Sequence, residues 1–265
     1  MVVFFVIFRY MVELNKIYNE DCLEFMSKIP DNSIDCIITS PPYGFDKGYD
    51  SYNDKFNPAE YVNWLGRIFT ECSRILKEGG RIFVNVQPVF TDNFPTHHIV
   101  SQLLSNRGLT WGGEIIWEKN NYNCAPTAWG SWNSPSQPYL KYTWEYIEYF
   151  YKRTPKHEGN RENIDIVGDE FKKWTTAKWT IAPETKMKEY DHPAMFPEEL
   201  VERILKLFTY KNDVVYDPFC GAGTTCAICE KFGRQYIGTD ISQKYCETAR
   251  IRCYKEHNLK ENPLW

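Results

Sequence analysis

Asp213-Val-Val-Tyr216-Asp217-Pro-Phe-Cys220-Gly221-Ala-Gly223-Thr-Thr225 is the stretch whose reading decides the fold. Asp213 to Tyr216 is a short apolar run of the kind that becomes a buried strand, and Gly221 to Thr224 reads as a turn. Thr225 to Phe232 then follows helical spacing, and Gln235-Tyr-Ile-Gly-Thr239 returns to a strand with Asp240 at its carboxyl end. Strand, glycine turn, helix and strand in that order form the repeating unit of an open α/β sheet. Ligands of such sheets bind beyond the carboxyl ends of the strands, which is where the glycine turn falls.

The same alternation extends outward in both directions. Upstream, Asp35-Cys-Ile-Ile-Thr39 is a buried-strand candidate that stops at Ser40-Pro41-Pro42. Tyr61, Leu65, Ile68, Phe69, Cys72, Ile75 and Leu76 recur at helical spacing; Gly79-Gly80 ends that helix and Arg81 to Val86 is the next strand. Glu114 to Trp117 and Tyr146 to Tyr151 are further strands, and Pro197 opens a helix with Leu200, Val201, Ile204, Leu205 and Phe208 on one face. Neither period holds between about Arg153 and Asp191, so that stretch reads as an insertion whose Trp174, Trp179 and basic residues are available to a binding partner.

Composition sets bounds without choosing a function. The 265 residues are 43% hydrophobic and 25% charged, enough for one large core or one domain with an insertion. A net charge of −4 does not advertise phosphate binding, although the first sixty residues hold ten acidic and five basic side chains and leave the remainder balanced. Nine cysteines without a secretory signal point to a reduced, cytoplasmic compartment. Cys226 and Cys229 form a lone C-x-x-C without a second ligand pair, so no metal is expected. The apolar run Met1 to Phe8 is too short to span a bilayer, and residues 1–10 read as an extension upstream of a start at Met11.

Two loops carry the chemistry. In the first, glycines let the backbone approach a ligand at a helix amino end, but Cys226 stands where a dinucleotide fingerprint has its third glycine, and no Walker-type lysine follows. Asp240 lies seventeen residues beyond Gly223, placed either to cap the segment 241–252 or to accept both hydroxyls of a ribose; the glycine turn favours the ribose. The second loop is Thr39-Ser40-Pro41-Pro42-Tyr43. Two prolines stiffen it and remove N–H donors, so it is either a rigid strand-end turn or a set of acceptors aimed outward. Its position at a strand end favours the acceptors.

Together these residues resemble the β group of amino-methyltransferases of DNA, the circularly permuted group in which the catalytic loop precedes the cofactor loop. Asp217-Pro-Phe219-x-Gly221-x-Gly223-Thr224 and Asp240 look like that family's S-adenosyl-L-methionine site. Asp21-Cys22, with Asp21 also a helix-cap candidate, and His192-Pro193-x-x-Phe-Pro197 look like further parts of it; Phe196 replaces the family's usual lysine. The resemblance spans Lys16 to Tyr254. It implies a doubly wound, mostly parallel, seven-stranded sheet with a catalytic half over residues 11–152, a small target-recognition insertion over 153–190, and a cofactor-binding half of the same sheet over 191–258.

The implied catalytic residues are Ser40, Pro41, Pro42 and Tyr43. An exocyclic amino group is a weak nucleophile because its lone pair is delocalised into the ring. Hydrogen bonds from that NH₂ to Ser40 Oγ and the Pro41 carbonyl would favour a pyramidal nitrogen that attacks the sulfonium methyl in line, without a covalent enzyme intermediate. Tyr43 would stack on a base flipped out of duplex DNA. The family's adenine-N6 enzymes usually carry Asp-Pro-Pro-Tyr, so Ser40 points to N4 of cytosine, as does Trp129-Gly-Ser-Trp132-x-Ser-Pro135-Ser-x-Pro138 ending in Glu145-Tyr-Ile. Adenine N6, RNA or a protein glutamine, and a catalytically inactive DNA-binding module remain alternatives. Cytosine C5 methylation is excluded, because none of the nine cysteines follows a proline. The implied partner is duplex DNA with a specific recognition sequence; a cognate restriction endonuclease would be a genetic rather than a physical partner.

Overall fold

Side chains that alternate along each strand sort themselves into two separate cores, one on each face of a single sheet. On β2 (Ile34–Thr39), Ile37 joins one core while Cys36 and Ile38 join the other. The same division recurs on β3 (Leu76–Val86), where Ile82, Val84 and Val86 oppose Phe83, and on β7 (Val214–Asp217), where Tyr216 opposes Val215. The first core is closed by α1 (Cys22–Met26), α2 (Pro58–Ile75) and α3 (Thr96–Ser105). The second is closed by α5 (Glu198–Phe208), α6 (Thr224–Phe232) and α7 (Gln243–Glu261). Helices on both faces of one sheet make the fold doubly wound. The computed structural model describes residues 12–42, 57–88, 94–120, 130–185, 189–190, 192 and 194–261; residues 1–10, Tyr43, the segment 44–56 and Pro193 lie outside the described residues.

The remaining strands are β1 (Lys16–Asn19), β4 (Leu109–Glu118), β5 (Trp144–Lys152), β6 (Lys178–Thr180) and β8 (Gln235–Asp240), giving the order β1-β8-β7-β2-β3-β5-β4-β6. Strands β1, β8, β7, β2 and β3 run parallel, whereas β5 is antiparallel to both β3 and β4. Among the described residues the sheet therefore has eight strands rather than the expected seven. The extra one, β6, lies inside the segment read as an insertion and adds in parallel to β4. Three residues are too few for a period-2 pattern to show. Trp174 and Trp179, expected to face DNA, are buried instead, and the Trp179 indole donates to the Trp174 carbonyl at 2.9 Å.

The end of α2 also departs from the sequence reading. The helix stops at Ile75, four residues before Gly79, and passes straight into β3. Lys152 satisfies the exposed end, donating to the carbonyls of Ser73, Arg74 and Leu76 at 2.6, 3.2 and 2.7 Å. Gly79 does a different job. It sits at φ +75° inside β3, where a Cβ would run into the Lys156 carbonyl.

After β5 the chain descends to the amino-terminal edge of the parallel strands. There His157 Nε2 lies 2.7 Å from Asp213 Oδ2, and Lys77 bridges both oxygens of Asp35 at 2.7 Å. Asp35, His157 and Asp213 are the one group of metal-ligand side chains that converge among the described residues, and each already bonds to a lysine, a backbone N–H or its neighbour. No helix among the described residues is long and apolar enough to cross a membrane.

Arg234 locks the descending segment in place. Its guanidinium is completely shielded from solvent, pairs with both oxygens of Asp165, and also donates to the Phe232, Leu205 and Thr209 carbonyls. Removing one partner of a buried pair strands the other charge in a low-dielectric interior. Asp165→Ala is therefore expected to lower unfolding stability by about 3 kcal/mol, measured as a fall in the urea midpoint at unchanged slope.

Candidate functional site

Because β1, β2, β3, β7 and β8 are parallel, their carboxyl ends share one edge of the sheet, and β4 ends and β5 begins on that edge too. A cavity of about 300 Å³ opens there. Of the residues singled out in the sequence, Asp21, Cys22, Ser40, Pro42, His192, Asp217, Phe219, Gly221, Thr224 and Asp240 line it. Pro41 is buried beside the cavity rather than lining it, and Gly223 serves as the N-cap of α6 at φ +79°.

The glycine turn follows the form expected of it, with the Gly221 N–H already engaged by Asp240. Gly221 has φ +47°, and a Cβ at that position would lie 2.5 Å from His192 Nε2, so the imidazole rests directly on the turn. Asp240 accepts from Gly221 N on Oδ2 and from Ser242 N on Oδ1, both at 2.9 Å. It thus supports the glycine turn and the entry to α7 at once, and each oxygen keeps a further acceptor direction. Burial pushes its carboxyl up, against the lowering effect of those two N–H donors. Asp21 caps α1 through Oδ1, accepting from Leu23 N at 2.9 Å and Glu24 N at 3.2 Å, while also facing the cavity. Burial drives the Cys22 thiol up and the His192 imidazole down to about 4, so His192 is neutral near pH 7.

Asp217, one of the expected cofactor contacts, lines the cavity with its carboxylate already engaged by protein donors. It is buried, and its Oδ1 accepts from Thr39 Oγ1 at 2.8 Å and Phe219 N at 3.1 Å, while Oδ2 accepts from Thr225 Oγ1 at 2.7 Å. Burial raises its carboxyl to about 6 in spite of those three donors. Geometrically it is a clamp: it joins the strand end that carries Ser40 to the turn that carries Gly221.

The wall beyond Ser40 contains Asn85, Gln87, Lys119 and Trp64, which the sequence reading passed over, beside Glu145, which it read only as the end of a motif. Ser40 Oγ donates to the Asn85 carbonyl at 3.1 Å, and Asn85 Nδ2 donates to Glu145 Oε2 at 2.6 Å. Lys119 pairs with Glu145 and sits over the Trp117 ring at 4.8 Å. Gln87 is the remaining polar group of this wall, and Trp64 packs on Phe219 with ring centroids 5.5 Å apart. One signal was available: Asn85-x-Gln87 places polar groups at the carboxyl end of an otherwise apolar strand, on the edge where Ser40 lies.

Comparison with known proteins agrees with this geometry. A family model described as DNA methylase matches residues 34–250. The Type II methyltransferase M.BglII of Bacillus subtilis is 30% identical over 249 residues, spanning 89% of this chain and 68% of the relative. The DNA adenine methyltransferase YhdJ of Escherichia coli K12 is 28% identical over 257 residues, spanning 92% and 84%. Among solved structures, TTHA0409 of Thermus thermophilus, complexed with S-adenosyl-L-methionine, superposes with a TM-score of 0.74 at 25% identity, covering 91% of this chain and 93% of its own.

The clamp has a measurable acid–base signature. A carboxyl raised to about 6 when folded, from roughly 3.9 when unfolded, binds protons more tightly in the native state. Its contribution to stability therefore falls as pH rises between about 4 and 6 and is level above that. Asp217→Asn should remove this fall, so the stability difference between variant and parent protein shifts in favour of the variant as pH is raised across that window. Urea unfolding at the two ends of the window measures it; a difference independent of pH would contradict the assignment.

Proposed function

The chain belongs to the DNA methylase family of N4/N6 amino-methyltransferases, and we propose that it methylates the exocyclic N4 of cytosine in duplex DNA. S-adenosyl-L-methionine is its cofactor. The cavity suits that molecule. The Gly221 turn brings backbone to the cavity wall beneath His192, Asp240 retains acceptor directions for a ribose, and Phe196, Phe219 and Ile241 supply apolar walls. When bound, the cofactor supplies the electrophilic sulfonium methyl.

The observation that carries the reading is the state of the Ser40 hydroxyl. A backbone carbonyl cannot donate, so in the Ser40–Asn85 hydrogen bond the serine must give its only proton to Asn85 O. What Ser40 then offers the cavity is lone pairs, and lone pairs are what an amino group needs from its surroundings if it is to pyramidalise and attack. Pro41 and Pro42 add no N–H to compete for the acceptor. Asn85 is itself held by Glu145, which Lys119 neutralises, so the acceptor is set before any substrate arrives.

A base inside a duplex cannot reach a cavity behind a strand edge, so the target is rotated out of the stack. Tyr43 is assigned to stack on it. Serine in place of aspartate leaves a neutral acceptor at this position, which supports cytosine over adenine, and attack is direct, with no covalent enzyme intermediate.

Incubation with unmethylated DNA and labelled cofactor, followed by digestion to nucleosides, tests the assignment. N4-methylcytosine is the expected product. N6-methyladenine would correct the base, and label in RNA with none in DNA would overturn the substrate class. Ser40→Ala should reduce kcat roughly 100-fold, the usual loss when one positioned hydrogen-bonding group is removed from a reacting centre, with cofactor affinity nearly unchanged. Asp240→Ala should do the reverse, weakening cofactor binding by about tenfold or more. Intact turnover in Ser40→Ala would refute the acceptor role.

A further inference from the structure

We propose that the exposed lobe formed by residues 130–143, between β4 and β5, is the surface that reads duplex DNA around the target base. This rests on the assignment of DNA as substrate and extends it from the reacting base to its neighbours.

The lobe leaves the sheet at the catalytic edge. The β4–β5 ladder runs to Glu118 opposite Trp144, and Lys119 N then donates to Thr143 O at 2.9 Å. Lys119 and Glu145, at the two feet of the connection, both line the cavity. Whatever duplex delivers a base to Ser40 must therefore pass against this connection.

Its surface is suited to DNA. Between Lys119 and Trp144 the sequence contains no aspartate or glutamate, in a chain with 35 of them. Residues 132–140 are all exposed; Trp132 is 74% and Leu140 77% accessible, and Tyr139 is half exposed. Large apolar side chains held this far into solvent mark an interaction surface rather than a core. The turn that carries them is preformed: Ser131 N donates to Gln137 O at 2.9 Å, Gln137 N donates to Ser131 Oγ at 2.7 Å, and Gly130 bridges to Pro138. Amide and hydroxyl groups such as Gln137 suit base edges. Trp132 and Leu140 suit the step from which a base has been removed, where an apolar wedge can replace lost stacking.

The segment 153–190 is placed less well for this task. Its first part is held at the opposite edge of the sheet by His157–Asp213 and Arg234–Asp165, and α4 (Gly168–Trp174) is held to α5 by Glu170–Lys206 at 2.9 Å. Its basic residues are nearly matched by acidic ones, eight against seven.

The test uses the full chain. Methylated positions are first mapped on unmethylated genomic DNA, and a fluorescent duplex carrying the mapped site is then titrated. The double variant Trp132→Ala/Leu140→Ser, confined to exposed positions, should weaken duplex binding about tenfold while cofactor affinity, measured by calorimetry, stays the same. Gln137→Ala should broaden the set of methylated sites. Unchanged duplex affinity and unchanged sites in both variants, or loss of DNA binding in Lys172→Glu/Lys173→Glu instead, would overturn the proposal. If the unaltered protein labels no DNA, the substrate assignment falls and this inference falls with it; labelled DNA with indifferent variants removes only this inference.

Discussion

A single carboxylate joins the two halves of the edge that holds the cavity. Asp217 at the end of β7 receives the hydroxyl of Thr39, 178 positions earlier in the chain, and that of Thr225 at the start of α6. Ser40 follows Thr39, and Gly221 and Thr224 lie between Asp217 and Thr225, so the proposed methyl-accepting and methyl-donating sides are registered against one another through four oxygens. The geometry is specific because the group is dry. In water the same hydrogen bonds would contribute little, whereas in the interior an unpaired partner would cost about 1–3 kcal/mol. Burial has a cost of its own, visible in the raised affinity of Asp217 for a proton. The fold sustains that cost where two loops must meet within a bond length.

The same device recurs twice more. Glu145 joins Asn85 and Lys119 across β3, β4 and β5, and Arg234 joins Asp165 to the ends of α5 and α6. Such pairs add little net stability compared with apolar packing, but they penalise any other arrangement. The first sets the wall beside Ser40. The second holds the segment after β5 beneath the sheet and away from the cavity.

The core strands were legible because apolar runs between turn residues have no other use in a chain of this composition. The loops at Ser40 and Gly221 were legible because proline and glycine restrict the backbone wherever they stand. What escaped was short or non-local. β6 has three residues, and the first turn of α3 is Thr96-His-His98, which hides its apolar face. Trp174 and Trp179 looked like exposed aromatics because burial depends on a partner strand that sequence order does not reveal. Asn85, Lys119 and Glu145 are single polar positions whose partners lie 60 and 26 residues apart, beyond the reach of any local pattern. Asp21 caps α1 and still faces the cavity, whereas the cap of α7 falls to Ser242, whose Oγ accepts from Tyr245 N at 3.3 Å, and Asp240 holds Ser242 N while facing the cavity.

The pairing of β1 with β8 bears on how the protein comes into being. Asn19 donates to the carbonyl of Asp240, 221 positions downstream, so the first strand of the sheet waits for the last. On a ribosome, the Ser40 loop emerges while the strands that carry the glycine turn and Asp240 are still unsynthesised. Parallel pairings of such long range form late, because the loop they close is entropically expensive. A nascent or truncated chain therefore holds the Ser40 loop without the half of the cavity that carries Gly221 and Asp240, and the cavity is complete only when the final strand docks between β1 and β7.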